Sequence, residues 1–194
     1  MRRIDLFAGV NLLLFIVLAV FRYYARFIEY RGAEHLEEFF IYAVVILAFI
    51  VALWRIFRRH DFDTALLVLV QIGILMHFAG AFVPVDGGRL YDWHLLGVRY
   101  DKYVHFVNAF AATFLINRLF SIQGIAPTLA NTIFLVLITL GLGAVVEIVE
   151  YVALLTVPNS LVGNYDNNMV DLIANLCGSL SFIPVRARFG RGFG

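Results

Sequence analysis

The sequence predicts an all-α, polytopic transmembrane helix bundle of about six spans, and three observations carry that prediction. Of 194 residues, 62% are hydrophobic, and the mean hydropathy is +0.86. Only 15% are charged, against about 25% in a soluble domain. The apolar residues also fall into six runs, each long enough, or nearly so, to cross a hydrocarbon core of about 30 Å. In lipid a lone apolar segment must satisfy its own backbone polar groups, so each run is expected to be helical.

The runs are 6–24, 39–57, 64–83, 103–119, 129–157 and 170–185. The first follows Met1-Arg2-Arg3 and could pass for a signal peptide. No small-x-small cleavage site follows it, only Arg22-Tyr23-Tyr24-Ala25-Arg26, so it reads as a retained first span. The fifth run is overlong and is expected to tilt or emerge; the sixth is short. Tyr23, Tyr24, Trp54, Tyr91, Trp93, Tyr100 and Tyr103 stand at the ends of runs, where amphipathic rings sit at the membrane interface. Without a repeat or a polar domain, residues 1–194 read as one integral membrane domain. The Gly-rich tail 189–194 reads as a frayed end.

With the N-terminus inside, the inner segments hold nine Arg or Lys residues and the outer segments six. This excess predicts cytoplasmic N- and C-termini in a prokaryotic plasma membrane, with loop 84–99 outside. The net charge is +1, and no basic stripe with interleaved aromatics is present, which excludes a nucleic-acid partner. The single cysteine, Cys177, cannot form an internal disulfide and reads as a helix-contact residue.

Ionisable residues inside apolar runs are expensive and mark function. Alternating spans place His77, Asp101, His105, Glu147, Glu150 and Asp171 at the same, outer side of the membrane. Asp101 and His105 are four apart, as are Asp171 and Asn175; Glu147 and Glu150 are three apart. Each pair therefore lies on one helix face. Gly141, Gly143 and Gly178 are expected to let the fifth and sixth spans approach closely. Loop 84–99 is long and aromatic enough for a lid or an interfacial segment. Loop 158–168 is polar, and 166–171 resembles a calcium loop but lacks its turn glycine and a ligand position.

His77, His105, Glu147, Glu150 and Asp171 form a nitrogen and oxygen set suited to zinc, manganese or iron. His105, Glu147 and Asp101 are the candidate acid and base groups, and Asn175, Asp166, Arg99 and Lys102 are supporting residues. The two glutamates need a cation, a proton or a basic partner, since their charges would repel. The plainer alternatives are a structural bridge from the glutamates to Arg99 or Lys102, an interfacial Asp101–Lys102 pair, an interior hydrogen bond for His77 and a cap role for Asp171. His35, His60 and Asn108 carry no assignment, and Asn117-Arg118 reads as a snorkelling helix end.

Tyr100-Asp101-Lys102-Tyr103-Val104-His105-Phe106 resembles the Asp-Lys-x-x-His-Phe signature of VanZ-like membrane proteins. Their acid-rich helix and Asp-x-x-x-Asn-x-x-Gly motif resemble Glu147-Ile148-Val149-Glu150 and Asp171 to Gly178. His77-Phe78-Ala79-Gly80 with Pro84 is similar to the corresponding segment of YjdF-like inner-membrane proteins, and Glu150 fits that pattern better. The resemblance covers about residues 64–185 and implies a membrane bundle with its site on these motifs. VanZ itself is associated with low-level glycopeptide resistance.

Three functions from different classes follow. The first is an enzyme acting on a lipid or envelope precursor through a metal or through paired acid and base groups. The second is a protein that binds or transports an ion, a proton or an amphiphile. Six spans without an internal repeat or a Gly/Pro-broken helix pair count against transport. The third is a non-catalytic envelope-maintenance scaffold.

Overall fold

The computed structural model describes residues 2–156 and 165–189. The chain divides into two compact units, Met1–Leu67 and Val68–Gly194.

In the first unit α1 (Arg3–Leu18) passes through a π-helical stretch, Ala19–Tyr23, into α2 (Tyr24–Arg31). Together they supply a 27-residue apolar span, Arg3–Glu29. Gly32 ends it at φ +89°, a conformation that L side chains rarely adopt. A 3-10 turn, Ala33–His35, leads into α3 (Leu36–Phe57). At this corner Glu38 pairs with Arg31 at 2.9 Å and with His35 at 3.2 Å. Tyr24 and Phe27 meet Phe39 at ring separations of 5.7 and 5.6 Å. At the far ends of the same helices the Trp54 indole N–H donates to Asp5 at 2.9 Å, so α3 runs back along α1. No residue of α3 is buried, as expected of an apolar helix that faces lipid rather than protein.

Helix α4 (Thr64–Phe82) leads out of the first unit into the second. The loop after it holds two short hairpins, Pro84–Val85 with Gly88–Arg89 and His94–Leu95 with Val98–Arg99, around a 3-10 turn at Leu90–Asp92. Both turns, Asp86-Gly87 and Leu96-Gly97, have positive φ at both central residues, the requirement of a tight two-residue hairpin. The Tyr103 hydroxyl donates to the Leu95 carbonyl at 2.9 Å and pins the loop to the next helix.

The second unit is built on α5 (Tyr100–Ile122), which packs against α6 (Leu129–Thr156) and α7 (Tyr165–Phe189). Phe110 and Phe114 of α5 meet the fully buried Phe182 of α7, each at 5.6 Å. Thr113 bonds across to Thr139 of α6 at 3.1 Å. At the other end, Arg186 of α7 donates to Asn117 of α5 at 3.0 Å and to Thr132 of α6 at 2.8 Å. Asn117 is thus an interior partner rather than a snorkelling end.

Among the described residues five helices are long and apolar enough to cross a membrane. The fourth expected span, α5, is long enough at 23 residues but is not among them. Its polar side chains are tolerated because it is the inner helix of its unit, with Asp101, Lys102, Thr113 and Asn117 all buried.

The sixth expected span, α7, begins at Tyr165, five residues before the expected start, because the polar run Tyr165 to Asn168 extends the helix without adding hydropathy. The cap-region role expected of Asp171 falls instead to Asp166 in the first turn. Residue 157 of the fifth run, residues 158–164 of the expected loop and residues 190–194 of the tail lie outside the described residues.

Two glycine expectations change. A side chain at Gly141 would meet nothing within 4 Å, so Gly141 mediates no contact. Gly178 lies against the Phe106 carbonyl and so brings α7 to α5, not to α6. Gly143 does serve α6 and α7, since a Cβ there would stand 2.7 Å from the Asn175 amide. Cys177 is exposed rather than packed between helices.

Candidate functional site

Asp101 and His105 of α5, Glu150 of α6 and Asp171 and Asn175 of α7 line one cavity of about 420 Å³, reached also by His77 of α4 and by Arg89 and Tyr91 of the loop, while Glu147 is buried behind its wall against His105. Helical spacing is the cause. Asp101 and His105 lie one turn apart on α5, Glu147 and Glu150 on α6, and Asp171 and Asn175 on α7.

A chain of alternating charge runs inward from the loop. Asp92 accepts from Arg89 and Arg99, each at 3.0 Å. Arg99 also pairs with Asp101 at 3.3 Å. The Lys102 ammonium is buried between Asp101 at 3.1 Å and Asp171 at 2.7 Å. Asn167 completes the cage: its side-chain oxygen accepts from Lys102 at 2.7 Å and from Arg99 at 3.0 Å, and its amide donates to Asp171 at 2.7 Å. A buried charge is tolerable only with such partners.

The chain ends at His105, whose ring lies between two carboxylates. Nε2 faces Asp171 at 3.4 Å and Nδ1 faces Glu147 at 3.8 Å. One ligand atom from each of the three residues lies within 4.8 Å of the others. Asp171 is 1% exposed and Glu147 5%. Both Glu147 oxygens are buried without a hydrogen-bond partner among the described residues, unlike those of Asp171. A buried carboxylate left in this state needs a proton, a cation or a donor.

The remaining candidates divide. Glu150 lines the cavity one turn beyond Glu147, and the buried Asn175 lines it beside Gly143. His77 is on the rim, its Nδ1 bonded to the Tyr91 hydroxyl, outside the converging trio. Asp166 is exposed and does not line the cavity. The bridge expected from the glutamates to Arg99 or Lys102 does not form among the described residues: Lys102 pairs with Asp101 and Asp171, and Arg99 with Asp92 and Asp101.

Sequence reasoning missed Asn167, Asn108 and Arg89. Asn167 stands four residues before Asp171, a signal readable once α7 is known to start at Tyr165. Asn108 lines the cavity against Gly73, where a Cβ would overlap its side chain. Gly80 similarly admits the Tyr91 ring, which a Cβ would approach to 2.8 Å. Nothing in the sequence singles out Arg89 from the other loop residues.

Around this polar end the cavity wall is apolar, from Val104, Ala109, Ala112, Leu142 and Val146. The arrangement suits proton transfer or cation binding beside an apolar chain. No curated protein and no solved structure matches the chain. The model of the family described as "Predicted membrane protein (DUF2238)" matches residues 10–191. A match of that extent takes in both units and every residue of the cavity, and the chain accordingly belongs to this family of membrane proteins.

Proposed function

We propose that the protein is a membrane-embedded enzyme that acts on the head group of a lipid or envelope precursor, with His105 as its acid–base group. The observation that carries this reading is the His105 ring, on the cavity wall, held between Asp171 and the buried Glu147. Asp171, itself fixed by Lys102 and Asn167, orients the ring. Glu147 faces the other nitrogen and can exchange a proton with it or with a bound group. Arg89 and Arg99 at the same cavity suit an anionic head group, and the apolar wall suits a chain. The likeness of the Asp101–Phe106 and Asp171–Gly178 motifs to VanZ-like and YjdF-like proteins supports an envelope setting.

A second reading rests on the bare oxygens of Glu147. Four carboxylates, Asp101, Glu150 and Asp171 on the cavity wall and Glu147 buried beside His105, stand with two fixed cations, Arg99 and Lys102. Full ionisation leaves two negative charges, which one divalent metal or two protons would neutralise. Zinc, manganese or iron would take Glu147, Asp171 and one nitrogen of His105. An imidazole offers a single nitrogen to one ion, so the two-sided contact of His105 favours the acid–base reading.

Detergent-purified protein incubated with a bacterial envelope-lipid extract tests the proposal, with products followed by mass spectrometry and bound metal measured in parallel. Product formation by wild type and its loss in Glu147→Gln is the expected result. If wild type turns nothing over but drives ion or lipid movement in liposomes, the site belongs to a transporter instead. Neither activity, with full stability in Glu147→Gln and no bound metal, leaves the scaffold.

A further inference from the structure

The first unit carries a second charged hollow, and none of the cavity residues takes part in it. Arg2, the residue before α1, and Arg55, Arg58 and Arg59 around the end of α3 line a cavity of about 370 Å³. These four are its entire lining among the described residues. The Arg2 guanidinium donates to the Arg58 carbonyl and ties the two helix ends together. The Arg58 guanidinium lies 4.5 Å over the Trp54 ring, which fixes its plane. Asp5 is the acid nearest the hollow: its carboxylate accepts from the Trp54 indole at 2.9 Å and from the Arg2 backbone amide at 3.2 Å and feels the charges of Arg2 and Arg58, a single negative charge against four positive ones. Among the described residues none of the four arginines enters an ion pair.

A count of basic residues at one side of a membrane sets topology wherever those residues point. Here they point into one hollow, where like charges repel unless an anion joins them. Guanidinium forks match phosphate oxygens two at a time. The spans beneath, Arg3–Glu29 and Ala33–Phe57, both have a mean hydropathy of 2.5, so the hollow stands at the end of a membrane-crossing pair. Leu6, Leu53 and Ile56 are exposed near these helix ends and offer apolar contact to acyl chains.

We infer that Arg2, Arg55, Arg58 and Arg59 bind the phosphate of an anionic phospholipid, with its acyl chains along α1 and α3. Basic hollows between helix ends suit such head groups. A lipid that binds the folded state alone stabilises it by mass action, which gives the readout.

Thermal unfolding of the full-length protein in detergent is measured with added phosphatidylglycerol, phosphatidylcholine or inorganic phosphate. The proteins are wild type, R55Q/R59Q and R55K/R59K; the last keeps the charge that sets topology but removes the fork. Phosphatidylglycerol should raise the wild-type Tm by several degrees and saturate, and R55Q/R59Q should need at least tenfold more lipid for the same shift. R55K/R59K should be weakened in the same direction, which keeps the test open if the glutamine variant does not insert. Phosphatidylcholine should do little. Equal responses of wild type and both variants, or equal effects of the two lipids, overturn the site. A full shift from inorganic phosphate alone, lost in the variants, keeps the phosphate chemistry and overturns the lipid as its source.

Discussion

Glu147 and Lys102 occupy opposite electrostatic situations in one cluster of charges. Lys102 has four acceptors, two carboxylates and both oxygens of Asn167, whereas Glu147 has no hydrogen-bond donor for either oxygen. Removing Lys102 therefore strips a buried Asp171 of its ammonium, and Lys102→Met should destabilise the protein by about 3–5 kcal/mol. The same substitution removes the cation that competes for Asp171, so added zinc or manganese should restore much of the lost stability if the trio binds metal. Unfolding in detergent with and without metal checks both statements. Glu147→Gln keeps size and one acceptor but removes a charge that repels Glu150. It should unfold no earlier than wild type while losing turnover and any bound metal. A less stable variant that stays active would assign Glu147 to the framework.

Among the helices, α5 is held to its neighbours by different chemistry at each level. Charged pairs join α5 and α7 at one end, the Phe110, Phe114 and Phe182 rings fill the middle, and Arg186 clamps the other end. Close approach depends on Gly178, where a Cβ would overlap the Phe106 carbonyl. In lipid, where apolar surface alone does not drive helices together, such contacts carry association. Gly178→Ala should therefore cost about 1–3 kcal/mol by forcing the helices apart. Gly141→Ala, on the same kind of helix but facing open space, should change stability little. Paired thermal or denaturant unfolding of the two variants tests the difference.

For the molecule as a whole, the side that the cavity faces has the largest consequence. The nine-to-six excess of basic residues predicts loop 84–99 outside and the α5–α6 turn inside. In a Cys177→Ala background, an impermeant thiol reagent on intact cells should label Gly88→Cys and spare Gln123→Cys. The reverse pattern would move the cavity to the cytoplasmic side and with it the class of lipid or precursor it meets.

The sequence by itself determined the class of molecule and the site's polar pairs. Run length, low charge and the cost of a bare backbone in lipid leave helical spans as the outcome. Spacings of three and four residues put Asp101 with His105, and Glu147 with Glu150, on shared faces before any packing is known. Only the tertiary structure decided which partners those faces meet. That Lys102 belongs to Asp171 rather than to a glutamate, that Asn167 closes the cage, and that His77 turns to Tyr91 all depend on the rotation and depth of neighbouring helices. Hydropathy is blind to both. It also placed the start of α7 too late, because polar residues continue a helix without lengthening an apolar run. The arginine hollow shows the same division: the sequence supplies the positive charge, while the return of α3 along α1 brings Arg2 to Arg58 and turns a count of charges into a site.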